Sequence, residues 1–303
     1  MRVPLFILLS ATSSMFSGCT TGKTAATASS PTGTGTACVQ RVARPLYAMD
    51  TCTKVSDVNT PEQQLDMLRK YGYAGIAWTA EEPAKVGAVA HAAAERHVPM
   101  LAIYMGAHLA KEGLEADSRL PAIAQALKGH GTILWLHIGS TAFAPSSAEG
   151  DALAVPELRR IADVAASNGL RVAIYPHTGD WAERVGDAVR LAKQVNRANF
   201  GVTFNLCHSL MVGEEARIPA LLKEAMPYLF VVTINGADSG AARTTWERLI
   251  RPLGEGSYDV SAFLRELDRA GYCGPIAVQG YGIQLAPDEQ LARSMKAWRA
   301  ICK

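Results

Sequence analysis

No interior stretch of this chain is apolar for long enough to cross a membrane, so a sequence of 303 residues, about half of them hydrophobic, must bury its apolar side chains in a core of its own. Charge of one sign is lacking too. Lys and Arg number 30 against 28 Asp and Glu, a net +2, and no segment interleaves basic with aromatic residues, so nothing points to nucleic acid as a partner. No Gly-rich turn follows the first apolar strand, which removes the usual dinucleotide-binding pattern. Cysteine is scarce. Beyond Cys19 there remain Cys38, Cys52, Cys207, Cys273 and Cys302, without metal-ligand spacing, and their pairing is not written in the sequence.

The N-terminus is laid out for export. Arg2 precedes the apolar run Val3–Leu9, and Phe16-Ser17-Gly18-Cys19 resembles a bacterial lipobox, in which Cys19 is lipidated and begins the mature chain. A cleaved secretory peptide with an incidental cysteine is the alternative. Residues 1–18 therefore read as a signal peptide and 19–40 as a small, polar tether, with the folded part spanning 41–303. The membrane is expected as a partner only through that lipid anchor. An exported chain is free to pair some of its cysteines.

From Arg41 the pattern is strand, then helix, eight times. The strands are Leu46–Asp50, Gly75–Thr79, Met100–Met105, Ile133–Ile138, Val172–His177, Gly201–Asn205, Phe230–Asn235 and Ile276–Gln279. Thr60-Pro61-Glu62-Gln63 carries a capping residue, a first-turn proline and a capping-box Gln for a helix that closes near Gly72. Further helices are expected over Pro83–His97, around Pro121–Lys128, from Pro156 to Asn168, from Asp180 with Glu183 as capping partner to Asn196, over Pro219–Met226, Val260–Ala270 and Asp288–Ile301. Eight such alternations in about 260 residues fit a single-domain α/β fold, the (β/α)8 TIM barrel. An open doubly wound sheet is the second choice.

Side chains alternate across a strand, and on the fifth to eighth strands Ala173/Tyr175, Thr203/Asn205, Thr233/Asn235 and Ala277/Gln279 share one face. Small groups below polar ones suggest the barrel interior, with a hydrogen-bonding residue at the C-terminal end of each strand, where such barrels carry their sites. His177 shares the parity of Tyr175, and His208 lies just past Asn205. Either imidazole suits a general base near neutral pH, and His177 ranks first. His137 ends the fourth strand; together with His177 and His208 it would make a three-His zinc site if all three converged. Trp78 and Tyr281 offer aromatic faces for a sugar ring beside the neutral groups Tyr175, Asn205, Asn235 and Gln279. Asp50 and Asp238 are the remaining rim carboxylates. The glycines after the seventh and eighth strands, Gly236, Gly240, Gly280 and Gly282, read as tight turns rather than as a phosphate cradle.

The phrases AIYPHTGDW, GVTFNLCHSL, VVTINGAD and GPIAVQGYGI and the closing SMKAWRAI resemble the xylose isomerase-like TIM barrels, the sugar phosphate isomerase/epimerase superfamily, over roughly Arg41–Lys303. That resemblance implies a divalent metal held by Glu, Asp, His and Glu at the ends of strands five to eight, with carboxylates moving a proton beside a sugar carbonyl. Here the matching places hold Tyr175, Asn205, Asn235 and Gln279, so the implied metal loses its anionic ligands and no cofactor is expected. His177 and His208 match positions where relatives carry His. The expected activity is isomerisation or epimerisation of an unphosphorylated carbohydrate. Elimination or hydration of keto-glycosides, and a carbohydrate-binding barrel without catalysis, are the alternatives.

Overall fold

Short apolar strands and amphipathic helices alternate through the structure, a computed structural model that describes residues 44–54 and 59–302. The strands are β1 (Leu46–Met49), β2 (Ile76–Thr79), β3 (Met100–Leu109), β4 (Leu114–Ala116), β5 (Ile133–Ser140), β6 (Arg171–Ile174), β7 (Phe200–Asn205), β8 (Leu229–Ile234) and β9 (Ile276–Val278). They run in the order β2-β1-β9-β8-β7-β6-β5-β3, and pairing of β2 with β3 closes the ring. All eight ladders of the ring are parallel. Closure leaves no edge in the ring to pair with another chain. β4 stands outside it, antiparallel to the end of β3.

Ten helices connect or follow the strands among the described residues: α1 (Pro61–Tyr71), α2 (Pro83–Glu95), α3 (Leu120–Ala126), α4 (Asp151–Ser167), α5 (Val185–Val195), α6 (Leu206–Met211), α7 (Ile218–Ala225), α8 (Trp246–Leu249), α9 (Val260–Arg269) and α10 (Pro287–Ile301). The α1 cap forms as its sequence requires. Gln63 N–H donates to Thr60 Oγ1 at 3.3 Å and Thr60 N–H to Gln63 Oε1 at 2.8 Å, satisfying two otherwise orphaned donors.

The alternation of side chains divides the core in two. Met49, Ala77, Ala102, Ile133, Trp135, Ala173, Tyr175, Val231 and Ala277 pack inside the barrel. Their neighbours in sequence, among them Ile76, Trp78, Ile103, Leu134, Ile174, Phe204 and Val278, face outward against the helices. Phe204 meets Phe263 of α9 with ring centroids 5.5 Å apart, one of the contacts that fix helix to strand.

Several boundaries differ from the sequence expectation: strand five, expected to run to His177, stops at Ile174, and Tyr175 to His177 continue it without ladder pairing. Strand three continues beyond Met105 to Leu109, because β4 and β5 both pair with its extension; His108, read as loop, is therefore on a strand. β5 likewise runs past Ile138 to Ser140, so His137 lies within it. α4 begins at Asp151, five residues before Pro156, which costs it one main-chain bond. Its first turn is held by burial of Ala154 and Val155 and by Arg190 Nε, which donates to Asp151 Oδ2 at 3.0 Å. α5 starts at Val185 rather than Asp180: the Arg184 N–H donates to Asp187 Oδ2 at 2.9 Å, so Asp187 performs the capping expected of Glu183. Asp180 is left free for another use. The signal peptide, the tether and Cys19 lie outside the described residues.

Candidate active site at the barrel mouth

β5 and β6 carry His137 and His177 to the C-terminal end of the barrel on the inward parity of Trp135 and Tyr175, and the first turn of α6 brings His208 beside them. The ring centroids of His177 and His208 are 4.3 Å apart, those of His137 and His177 5.8 Å. Tyr104, one strand over on β3, lies flat against His137, with centroids 4.8 Å apart and planes 8° from parallel. Trp246 of α8 meets His208 edge-on at 5.1 Å, and Tyr175 meets it from below at 6.1 Å.

The three imidazoles differ in their hydrogen bonds. His137 Nδ1 is 2.8 Å from Asp180 Oδ2; the carboxylate accepts, so the ring proton sits on Nδ1 and Nε2 keeps its lone pair. Nε2 lies over Gly106, the residue paired with His137 on β3, where an added Cβ would stand 2.9 Å from it. Glycine is needed there to admit the ring. His208 is arranged the other way: the main-chain N–H of Thr178 donates to its Nδ1 at 2.9 Å, so the proton is on Nε2. His177 Nδ1 is buried without a hydrogen bond, 3.8 Å from Asp180 Oδ1. Burial holds the His177 pKa below the usual imidazole value, with His137 adding to the effect and Asp180 opposing it. Burial depresses His208 further, aided by His177 and then His137; the ring is only 5 % exposed.

The four inward groups at the ends of β6 to β9 are buried and tied to their surroundings. Asn205 Oδ1 accepts from Thr233 Oγ1 at 3.0 Å and from Cys207 Sγ at 3.2 Å. Asn235 Nδ2 donates to the carbonyls of Gly236 and Leu249 at 2.8 and 2.6 Å. Gln279 Oε1 accepts from Thr51 Oγ1 at 2.6 Å and from the N–H groups of Gly280 and Tyr281 at 2.8 and 3.0 Å. The Tyr175 hydroxyl accepts from Gln279 Nε2 at 3.4 Å, and burial raises its pKa well above the usual phenol, so it stays protonated. Cys207 is likewise pushed up to about 12 by burial and is no thiolate.

This donor set does not fit the divalent metal that the fold implies. Its members are neutral, the Gln279 oxygen already accepts three hydrogen bonds, and a hard cation needs anionic oxygens to offset its dehydration. The three imidazoles do converge, yet no group of three or more His, Cys, Asp or Glu side chains among the described residues is disposed to hold a metal ion.

The two aromatic candidates differ in position. Trp78 has outward parity, is 2 % exposed in the layer between strands and helices, and donates from Nε1 to Glu81 Oε1 at 3.1 Å; it cannot face a sugar in the mouth. Tyr281 is on the loop after β9 and 61 % exposed. Of the rim carboxylates, Asp50 is buried and its Oδ2 accepts from Thr79 N–H at 3.0 Å, while Asp238 pairs with Arg248 at 3.1 Å and Arg251 at 3.4 Å. Gly236 is a tight turn: a Cβ there would stand 2.2 Å from the Pro252 carbonyl.

Sequence reasoning missed Asp180, Tyr104 and Trp246. A signal existed for two of them. Asp180 is a carboxylate three residues after His177, and Trp246 is an indole in the polar loop after strand seven.

An eight-stranded parallel barrel with a polar cluster at its C-terminal mouth is the architecture of many enzymes. Within that class the chain belongs to the xylose isomerase-like TIM barrels, whose family model matches residues 65–301. Among solved structures it is similar to the apo 3-keto-D-glucoside 4-epimerase YcjR from E. coli, at 18% identity and TM-score 0.65, covering 84% of this chain and 98% of that one. It is similar also to the probable 3-DHS dehydratase AsbF from Bacillus anthracis, at 13% identity and TM-score 0.65 with the same coverages. A third is the D-allulose 3-epimerase from Methylomonas sp., at 14% identity and TM-score 0.64, covering 85% of this chain and 98% of that one. No curated protein matches the chain in sequence. At these identities the likeness speaks for the fold.

Proposed function

We propose that this protein is an enzyme that removes a proton beside the carbonyl of an unphosphorylated carbohydrate, as an isomerase or epimerase. The observation that carries the reading is the convergence of His137, His177 and His208 with one carboxylate, Asp180, at the barrel mouth. A carbon acid next to a carbonyl needs a base with a free lone pair and a donor for the oxygen on which charge develops, and the cluster contains both kinds of nitrogen. The depressed pKa of His177 and His208 keeps them neutral near pH 7. Arg248 and Arg251, which follow the β8 loop, are engaged by Asp238. Elimination from a keto-glycoside begins with the same proton removal and then expels the β-substituent, and hydration of the resulting enone is the reverse with water as the group that adds. The reaction is proposed to run without a metal.

Export as a lipoprotein is part of the same proposal. Cys273 is disulfide-bonded, as suits an oxidising compartment, and Cys19→Ser should release the protein from membranes.

The test is incubation in D2O with D-fructose, D-allulose and methyl 3-keto-β-D-glucopyranoside, followed by proton NMR. Loss of a C–H signal next to the carbonyl supports the enzyme. Saturable binding with no exchange would sink it in favour of a carbohydrate-binding barrel.

A further inference from the structure

We propose that Asp180 and the main chain of Thr178 hold His137 and His208 in opposite tautomers, making His137 Nε2 the proton acceptor of the mouth and His208 Nε2–H the donor to the substrate carbonyl. This assignment of roles rests on the proton-abstraction reading above. It moves the base from His177, first in the sequence ranking, to a residue ranked below it.

The argument is one of fixed ring protons. An imidazole acts as a base only through the nitrogen that carries no proton, and which nitrogen that is depends on the partner of the other. At His137 the partner is a carboxylate 2.8 Å from Nδ1, which can only accept, so Nε2 is the basic atom. The ring is fixed by stacking on Tyr104 and by close packing against Gly106, and its side chain keeps 29% of its exposure. At His208 Nδ1 faces the Thr178 main-chain N–H at 2.9 Å, which can only donate, and the Thr178 hydroxyl at 3.0 Å, which can do either; the N–H makes Nδ1 the acceptor, so Nε2 carries the proton. No protein group sets the tautomer of His177, whose buried Nδ1 lacks a hydrogen bond.

The step balances without a further reactant. His137 Nε2 takes the proton from the carbon beside the carbonyl, the C–H electron pair becomes the second bond between the two carbons, and the carbonyl oxygen becomes an enolate oxygen. His208 Nε2–H donates to that oxygen. The imidazolium formed on His137 is offset by Asp180, which is a positioning residue and does not touch substrate. Return of the proton to the neighbouring carbon, once a hydroxyl proton has moved to the enolate oxygen, gives the isomer.

Long-range 15N–1H spectra of histidine-labelled protein at pH 7.5, assigned with His137→Gln and His208→Gln, read the ring protons with no substrate present. The expected result is an Nδ1-protonated His137 and an Nε2-protonated His208, with Asp180→Asn mixing the tautomers of His137 alone and Asp180→Glu restoring them. Exchange in D2O should fall about 10²–10⁴-fold in His137→Gln. An Nε2-protonated His137 in the wild type, or exchange at the wild-type rate in His137→Gln, overturns the proposal. A wild type with the stated tautomers that exchanges none of the three sugars overturns the proton-abstraction reading and upholds the assignment of the ring protons.

Discussion

Two arcs of one barrel mouth, built by the same strand parity, differ in what their polar atoms have left to give. On the β8 and β9 side, Asn235 spends its amide nitrogen on the carbonyls of Gly236 and Leu249 and Gln279 spends its oxygen on Thr51, Gly280 and Tyr281, which leaves the buried Asn235 Oδ1 without a partner. On the β5 and β6 side, with the start of α6, three imidazoles each keep a nitrogen that no neighbouring protein group uses. Inward direction at the C-terminal rim is therefore not enough to make a side chain functional. The capacity to take up and release a proton near neutral pH decides, and it lies on the histidine arc.

If that contrast is right, substitutions on the two arcs should fail in different measurements. The largest effect is expected on the histidine arc: His137→Gln lowers turnover about 10²–10⁴-fold, equivalent to roughly 3–5 kcal/mol of barrier, with little change in melting temperature. His177→Ala should cost less than His137→Gln, because no neighbour fixes the proton on its ring. Equal losses in kcat for both would show that the two rings act as one unit. On the amide arc, Asn235→Ala leaves two buried carbonyls without their donor, at about 1–3 kcal/mol each, and should lower stability measured by chemical denaturation. A stable Asn235→Ala variant with lost turnover would erase the distinction between the arcs.

A smaller effect separates them by pH. The folded pKa of His208 is well below the unfolded value of about 6.5, so between these values the unfolded chain binds a proton that the folded chain does not. The contribution of the neutral ring is complete above about pH 6.5 and is lost as the pH falls toward the depressed folded value, at up to about 1.4 kcal/mol per pH unit. Melting temperatures at pH 5 and pH 7.5 should differ more in the wild type than in His208→Gln. A difference unchanged by the substitution would place the acid sensitivity in another group.

The barrel itself was legible from sequence because two periodicities agree over its whole length: apolar strands of three to ten residues and helices with caps such as Thr60 and Gln63. Strand parity also carried the inward direction of Tyr175, Asn205, Asn235 and Gln279. What it could not carry is how each group is spent, since the partners of Gln279 come from residues far apart in sequence, Thr51 among them. Trp78 misled for a related reason: its place at the end of a strand is a matter of order, but its parity with Ile76 rather than Ala77 sends it outward. Asp180 was visible and read as a helix cap, because spacing to Glu183 is a local signal whereas its partner, His137, is 43 residues away.

The last and smallest expected effect concerns metal, and it sharpens the contrast at the amide arc. Relatives in this family are expected to hold a divalent cation where Tyr175, Asn205, Asn235 and Gln279 stand. The Tyr175 phenol is kept protonated by burial, the Gln279 oxygen accepts three hydrogen bonds and the Asn205 oxygen two, so a cation entering here would find Asn235 Oδ1 as its unengaged oxygen and meet no negative charge on these four side chains. A ligand that binds only the folded state raises stability with its concentration, so the melting temperature of the purified protein should be the same in EDTA as in millimolar Mg²⁺ or Mn²⁺. Zinc is the sharper probe, since its natural ligands include the imidazoles on the other arc. A rise in melting temperature with Zn²⁺ that disappears in His177→Ala would mean that the histidine arc closes on a metal when one is supplied. A rise with Mg²⁺ that survives the same substitution would return the cation to the amide arc.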